Sequence, residues 1–150
     1  MSETTIPNGC TCPECVKMCR CHPCSPTLDE AKQLIKAGYA NQLMLKVWAS
    51  QDDPQFAVVG LCPAIIGYEL MVDPMKSYAG DCVFLKSDRC ILHDKGLKPL
   101  EGRFATHDTT PEQEERVTKE IIKTWLTQEA DDFLLEWERM CGVKIQRSKP

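Results

Sequence analysis

Apolar positions in the last third of the chain recur at helical spacing. Ile122, Leu126, Phe133, Trp137 and Met140 form one stripe, widened by Ile121 and Trp125, as in a helix that buries one face. Thr110-Pro111 places proline at a favoured first helical position, and Gly142 is a suitable stop. The stripe predicts either one long helix or two helices broken near Ala130-Asp131-Asp132. Further upstream, Thr27 with Glu30 three residues on is a capping-box signature, with acidic residues in the first turn. A helix is therefore expected over residues 28–37, with Gly38 at its C′ position. Leu43, Met44, Val47 and Trp48 predict a second, shorter helix over residues 40–48.

Between these helical stretches the pattern shortens. Phe56-Ala57-Val58-Val59-Gly60-Leu61 is an apolar run stopped by Cys62-Pro63, and predicts a strand. Residues 64–80, with Gly67, Pro74 and Gly80, are expected to be irregular. Asp81-Cys82-Val83-Phe84-Leu85 and Arg89-Cys90-Ile91-Leu92-His93 read as two strands of a hairpin turning near Ser87-Asp88. Gly96, Pro99 and Gly102 end that unit. The expected fold class is α+β: a Cys-rich N-terminal loop tied by metal, a small antiparallel sheet, flanking helices and a long C-terminal helix. At 150 residues, without an internal repeat or a Ser/Gly linker, the chain is expected to be one metal-binding domain over 1–150.

Composition narrows the function classes. Hydrophobic residues make up 43% and aromatics 7%, enough for a core built mainly from aliphatic side chains. A chain of this length buries roughly 70% of its unfolded surface, so its ten cysteines are not needed as staples. The net charge of -4 and the absence of a Lys/Arg stripe argue against a nucleic-acid partner held by phosphate contacts. The segment Met1-Ser2-Glu3-Thr4-Thr5-Ile6-Pro7 has neither the basic nor the apolar region of a signal peptide, and no apolar run is long enough to span a membrane. A cytoplasmic location is the resulting expectation. Thiols there are kept reduced, so clustered cysteines point to metal or catalysis before disulfides.

The cysteines concentrate in residues 8–24: Gly9-Cys10-Thr11-Cys12-Pro13-Glu14-Cys15, then Cys19-Arg20-Cys21-His22-Pro23-Cys24. Such a Pro-punctuated segment has little apolar surface with which to order itself, and metal ligation can supply the missing free energy. Cys12-x-x-Cys15 and Cys21-x-x-Cys24 each have the spacing of a knuckle that turns two sulfurs towards one ion. Zinc takes four such ligands in a tetrahedron at about 2.3 Å, and iron–sulfur clusters also commonly take four thiolates. Redox dithiol chemistry is the main competitor, but a thioredoxin-type CxxC caps a helix within a βαβ pattern, and none precedes Cys12.

Cys82 and Cys90 lie in the downstream hairpin. With a two-residue turn, Cys82 faces His93 and Cys90 faces Leu85; with an odd loop, Cys82 and Cys90 share a face. Either register brings a metal-capable pair together. The bland alternative is that one of them is a small buried residue. Cys62, before proline, and Cys141, at a helix end, read as packing residues. His22 is a ligand or a surface residue, His107 is expected to be exposed, and His93 is a ligand or a structural hydrogen-bonder. Glu69, Asp73 and Asp94 read as solvated loop positions rather than general bases. The acidic run Glu112-Gln113-Glu114-Glu115 reads as a solvated helix start, and Trp125 and Trp137 as core.

These blocks resemble a zinc- or iron-chelating domain family, the YkgJ-like proteins with CxxCxxCC-type cysteine clusters. That family pairs an N-terminal cluster with a later block of the form Cys-x-Phe-Leu, a short turn, Cys-x-Ile-Tyr, then Arg-Pro-x-x-Cys-Arg. The corresponding residues here are Cys82-Val83-Phe84-Leu85, Cys90-Ile91-Leu92-His93 and Lys98-Pro99-Leu100-Glu101-Gly102-Arg103. His93 stands at the usual tyrosine, Lys98 at the usual arginine and Gly102 at an expected cysteine, and the N-terminal cluster lacks adjacent cysteines. The resemblance covers residues 10–31 and 80–103. It implies metal binding by Cys12, Cys15, Cys19, Cys82 and Cys90. His93, Cys21 or Cys24 can make good the ligand missing at Gly102.

The candidate metal set is therefore Cys12, Cys15, Cys19, Cys21, Cys24, Cys82, Cys90 and His93. A mixed Cys/His set favours zinc over a cubane cluster, an all-cysteine set leaves both open, and zinc is the expected metal. Cysteines outnumber one site's needs, so two centres are possible. Three functions are compatible with such a site: a structural zinc module whose helices present a surface to a protein partner, an iron–sulfur redox protein, or a metal-dependent enzyme. For the last, the wider family's lysine N-methylase branch implies one use. Against it, the chain carries no Gly-rich nucleotide loop after a strand and no Gly-x-Ser-x-Gly or His-Glu-x-x-His motif.

Overall fold

A computed structural model describes residues 24–49, 57–73, 80–86, 89–104 and 109–145. The first helix, α1 (Leu28–Lys36), starts where the capping box places it. The Thr27 hydroxyl accepts from the Glu30 amide at 3.2 Å, and a Glu30 carboxylate oxygen accepts from the Thr27 amide at 2.9 Å. Ala37 is the C-cap, and Gly38 comes next at φ +98°, a conformation that costs glycine little. Leu28, Ala31 and Leu34 bury its inner face.

The helix expected over residues 40–48 is not formed. A single 3-10 turn, η1 (Ala40–Gln42), leads into strand β1 (Leu43–Ala49). β1 pairs antiparallel with β2 (Ala57–Pro63), from Leu43 opposite Pro63 to Ala49 opposite Ala57. A short apolar run does not by itself distinguish strand from helix. Here Val47 and Trp48 suit a strand, and the β-branched Val58 and Val59 offer a matching edge. β2 runs on through Cys62 and Pro63 rather than stopping before them. The buried residues Met44, Val58 and Cys62 lie on one face of this hairpin, and Leu43, Leu45 and Leu61 on the other, so both faces are packed.

Beyond β2, residues 64–66 are hydrogen-bonded to residues 81–83. Ile65 bridges Cys82, the Val83 amide donates to Ala64 O at 2.9 Å, and the Ile66 amide donates to Asp81 O at 3.0 Å. The second hairpin is shorter than expected. β3 (Leu85–Lys86) pairs with β4 (Arg89–Cys90), Leu85 opposite Cys90 and Lys86 opposite Arg89. This is the register of a two-residue connection. The chain then coils into one helical turn, α2 (Ile91–Asp94), and later α3 (Leu100–Phe104). His93 thus lies on a helical turn, not on a strand facing Cys82.

Two longer helices complete the described chain, α4 (Pro111–Trp125) and α5 (Gln128–Cys141). The break falls at Leu126-Thr127, ahead of the expected Ala130-Asp131-Asp132, because the Thr127 hydroxyl caps α5 by accepting from the Ala130 amide at 3.1 Å. Gly142 ends α5 in the left-handed conformation, φ +68°. Ile121, Trp125, Leu134 and Trp137 are buried as the stripe requires, whereas Leu126 and Met140 are exposed. Both indoles tie this helical pair to the N-terminal half: Trp125 Nε1 donates to Pro26 O at 3.0 Å and Trp137 Nε1 to Ala40 O at 2.9 Å. Among the described residues no helix is long and apolar enough to cross a membrane. The fold class is α+β, with helices around small antiparallel hairpins and a long C-terminal helix.

Candidate metal centre

Of the candidate ligands, Cys12, Cys15, Cys19, Cys21 and His22 lie outside the described residues. Cys24, Cys82 and Cys90 lie within them, all buried. They come from two parts of the chain, the entry to α1 and the short hairpin, and each is held by its own hydrogen bonds.

Cys24 sits at the entry to α1, where the chain is stitched to α3 and α4. The Ser25 amide donates to a Glu101 carboxylate oxygen at 2.6 Å, and the Glu101 amide faces Ser25 O at 3.4 Å. The Glu30 oxygen that completes the capping box also accepts from the Leu100 amide at 2.9 Å, so one carboxylate links the start of α1 to the start of α3. The Leu28 amide donates to Thr124 Oγ1 at 3.0 Å, beside the Trp125–Pro26 bond. Two of these acceptors are carboxylates, the stronger kind of hydrogen bond.

Cys82 and Cys90 are presented by the short hairpin. After Cys82 the chain makes a tight turn, the Leu85 amide donating to Cys82 O at 3.0 Å. The Phe84 amide points at Cys82 Sγ at 3.5 Å. An amide aimed at a sulfur two residues back supports the thiolate, as a metal knuckle requires. Cys90 stands opposite Leu85, and the Ile91 amide returns to Phe84 O at 2.9 Å. Phe84 is fully buried against the edge of Tyr39, ring centroids 5.1 Å apart, which fixes the turn to the core.

The electrostatics link the three thiols. Burial pushes the Cys24 thiol well above its usual range. The neighbouring Cys82 and Cys90 and the Glu101 carboxylate push the same way, while Lys98 opposes them. Cys82 is raised to about 12, mainly by burial, partly relieved by the Phe84 amide, with Cys90 adding to the rise. Without a cation the Cys24 and Cys82 thiols stay protonated. A bound dication would reverse that preference, because its charge deprotonates a coordinating thiol.

Gly102 explains how close the segments come. A Cβ built on Gly102 would lie 2.7 Å from Cys24 Sγ, 3.1 Å from Cys24 Cβ and 3.1 Å from Lys98 Cε. Cys24 sulfur therefore fills the space into which a side chain at residue 102 would project. Ser25, beside it, is 1% exposed, and its hydroxyl oxygen has no hydrogen-bond partner among the described residues. Among the described residues no group of three or more His, Cys, Asp or Glu side chains is arranged to hold a metal ion. The three thiols lie within electrostatic reach of one another rather than in a closed ligand shell. Thiol donors are of the kind a thiophilic metal takes, and the described residues alone do not close a shell around one.

Cys62 is buried in the core, as its packing role requires, and its thiol is raised to about 12, chiefly by desolvation. Cys141 Sγ donates weakly to Ala40 O at 3.6 Å. The Glu69 carboxylate accepts from the Gly67 amide at 3.0 Å, a local turn contact on an exposed loop. Sequence patterns do not point to Glu101 or Ser25. Their contact spans 76 positions, and no local signal announces it. No family model, curated protein or solved structure matches the chain.

Proposed function

We propose that this protein holds zinc through cysteine thiolates, with Cys24, Cys82 and Cys90 as the ligands supplied by its folded core. The observation that supports this reading most directly is the burial of three thiols within electrostatic reach of one another, Cys24 at the entry to α1 and Cys82 and Cys90 at the short hairpin, with a backbone amide aimed at Cys82 Sγ. The buried hydroxyl of Ser25, next in sequence to Cys24, has no partner among the described residues and adds to it, since such a group is costly to leave unpaired. Further ligands come from the N-terminal cluster, with Cys12, Cys15, Cys19 and Cys21 as the candidates, and His93 as the nitrogen alternative. The resemblance to the YkgJ-like chelating family belongs to the same proposal.

The metal's role on this reading is structural. A closed thiolate shell leaves no position for substrate, and its binding free energy becomes folding free energy. The rest of the molecule then offers a surface to a protein partner. The test is metal analysis with a visible spectrum on protein purified anaerobically. One or two equivalents of zinc without colour, and partial unfolding on chelation, are expected. Iron with matching sulfide and a broad visible band would replace zinc by a cluster and the structural role by electron transfer. Metal-free protein that also fails to take up zinc or cobalt would end the proposal.

A further inference from the structure

We draw no further inference here: the strongest candidate, the exposed surface patch of Ile66 and Tyr68 on the loop that holds Leu70 in the left-handed conformation at φ +64°, carries no proposal because nothing in the structure shows what covers it.

Discussion

Gly60 offers the sharpest test of how the core supports the candidate site. It lies on β2 opposite Lys46, on the hairpin face that carries Trp48. A Cβ at this position would sit 2.7 Å from Trp125 Cδ2, 2.9 Å from Trp125 Cε2 and 2.9 Å from Trp48 Cζ3. Two indoles close over the glycine, and neither contact is with the far end of a flexible chain. Trp125 cannot simply slide away, because its Nε1 is bonded to Pro26 O at 3.0 Å, two residues from Cys24. Overpacking of this kind costs about 1–3 kcal/mol. Displacing the indole from Pro26 adds about 0.5–1.5 kcal/mol. The narrower unfolded ensemble of alanine returns about 0.4–1 kcal/mol. Gly60→Ala should therefore destabilise by about 2 kcal/mol, the middle of that range.

Urea titration monitored by circular dichroism reads this directly: the midpoint should fall with the slope unchanged. For a chain of this size the melting temperature should drop by about 4–8 °C. Gly38→Ala is the control, since nothing lies within 4 Å of its Cβ and only the left-handed backbone, φ +98°, resists the substitution. If Gly60→Ala is as stable as wild type to within about 0.5 kcal/mol, the spread expected of neutral surface changes, then the indoles do not close over residue 60 and the tether to Pro26 does not bear on stability.

Two further predictions concern the same network. Glu101→Ala should cost about 1–3 kcal/mol by stranding the Ser25 amide, and Glu101→Gln, whose amide oxygen can still accept, should recover most of it; equal urea midpoints for the two variants would refute the anchoring role of the carboxylate. Burial raises the Cys62 thiol from 9.0 to about 12, so the folded state holds this proton while the unfolded chain releases it. Its contribution is full below pH ~9 and is lost as the pH rises towards 12, on the order of 4 kcal/mol over that span. Metal-free protein should accordingly lose stability between pH ~9 and ~11, and Cys62→Ala should show a shallower loss; an unchanged slope would rule out this thiol as the source.

Local rules made the helices legible. Thr27 with Glu30 satisfies orphan amides within a few residues and Pro111 suits the first helical position, so these helix starts form wherever the rest of the chain lies; the structure adds a second capping box, Thr110 with Gln113. The same locality explains the errors. Leu43 to Trp48 satisfies a helical pattern as well as a strand pattern, and only the partner edge of β2 decides for strand. Leu126 entered the apolar stripe because a continuous helix would bury it; once Thr127 restarts the helix, the phase shifts and Leu126 is 54% exposed. His93 entered the strand face for a similar reason, before the chain coils at Ile91.

The candidate site divides along the same line. Cysteine density at residues 10–24 and the Cys82/Cys90 spacing are local signals, and they point to the chemistry. The bonds that join the start of α1 to α3 are not local. The glycine at 102 reads in sequence as a missing ligand, an absence that weakens the case for a metal. In the folded chain it is the space that admits the Cys24 sulfur. A cysteine at both positions would place two groups in one volume, so a glycine at 102 and a cysteine at 24 are a single packing solution. Sequence alone cannot pair them, because the Glu101–Ser25 and Glu30–Leu100 bonds that set their distance connect segments 76 and 70 positions apart. Substitutions at 24 and 102 should therefore be judged as a pair, with either residue made large only when the other is small.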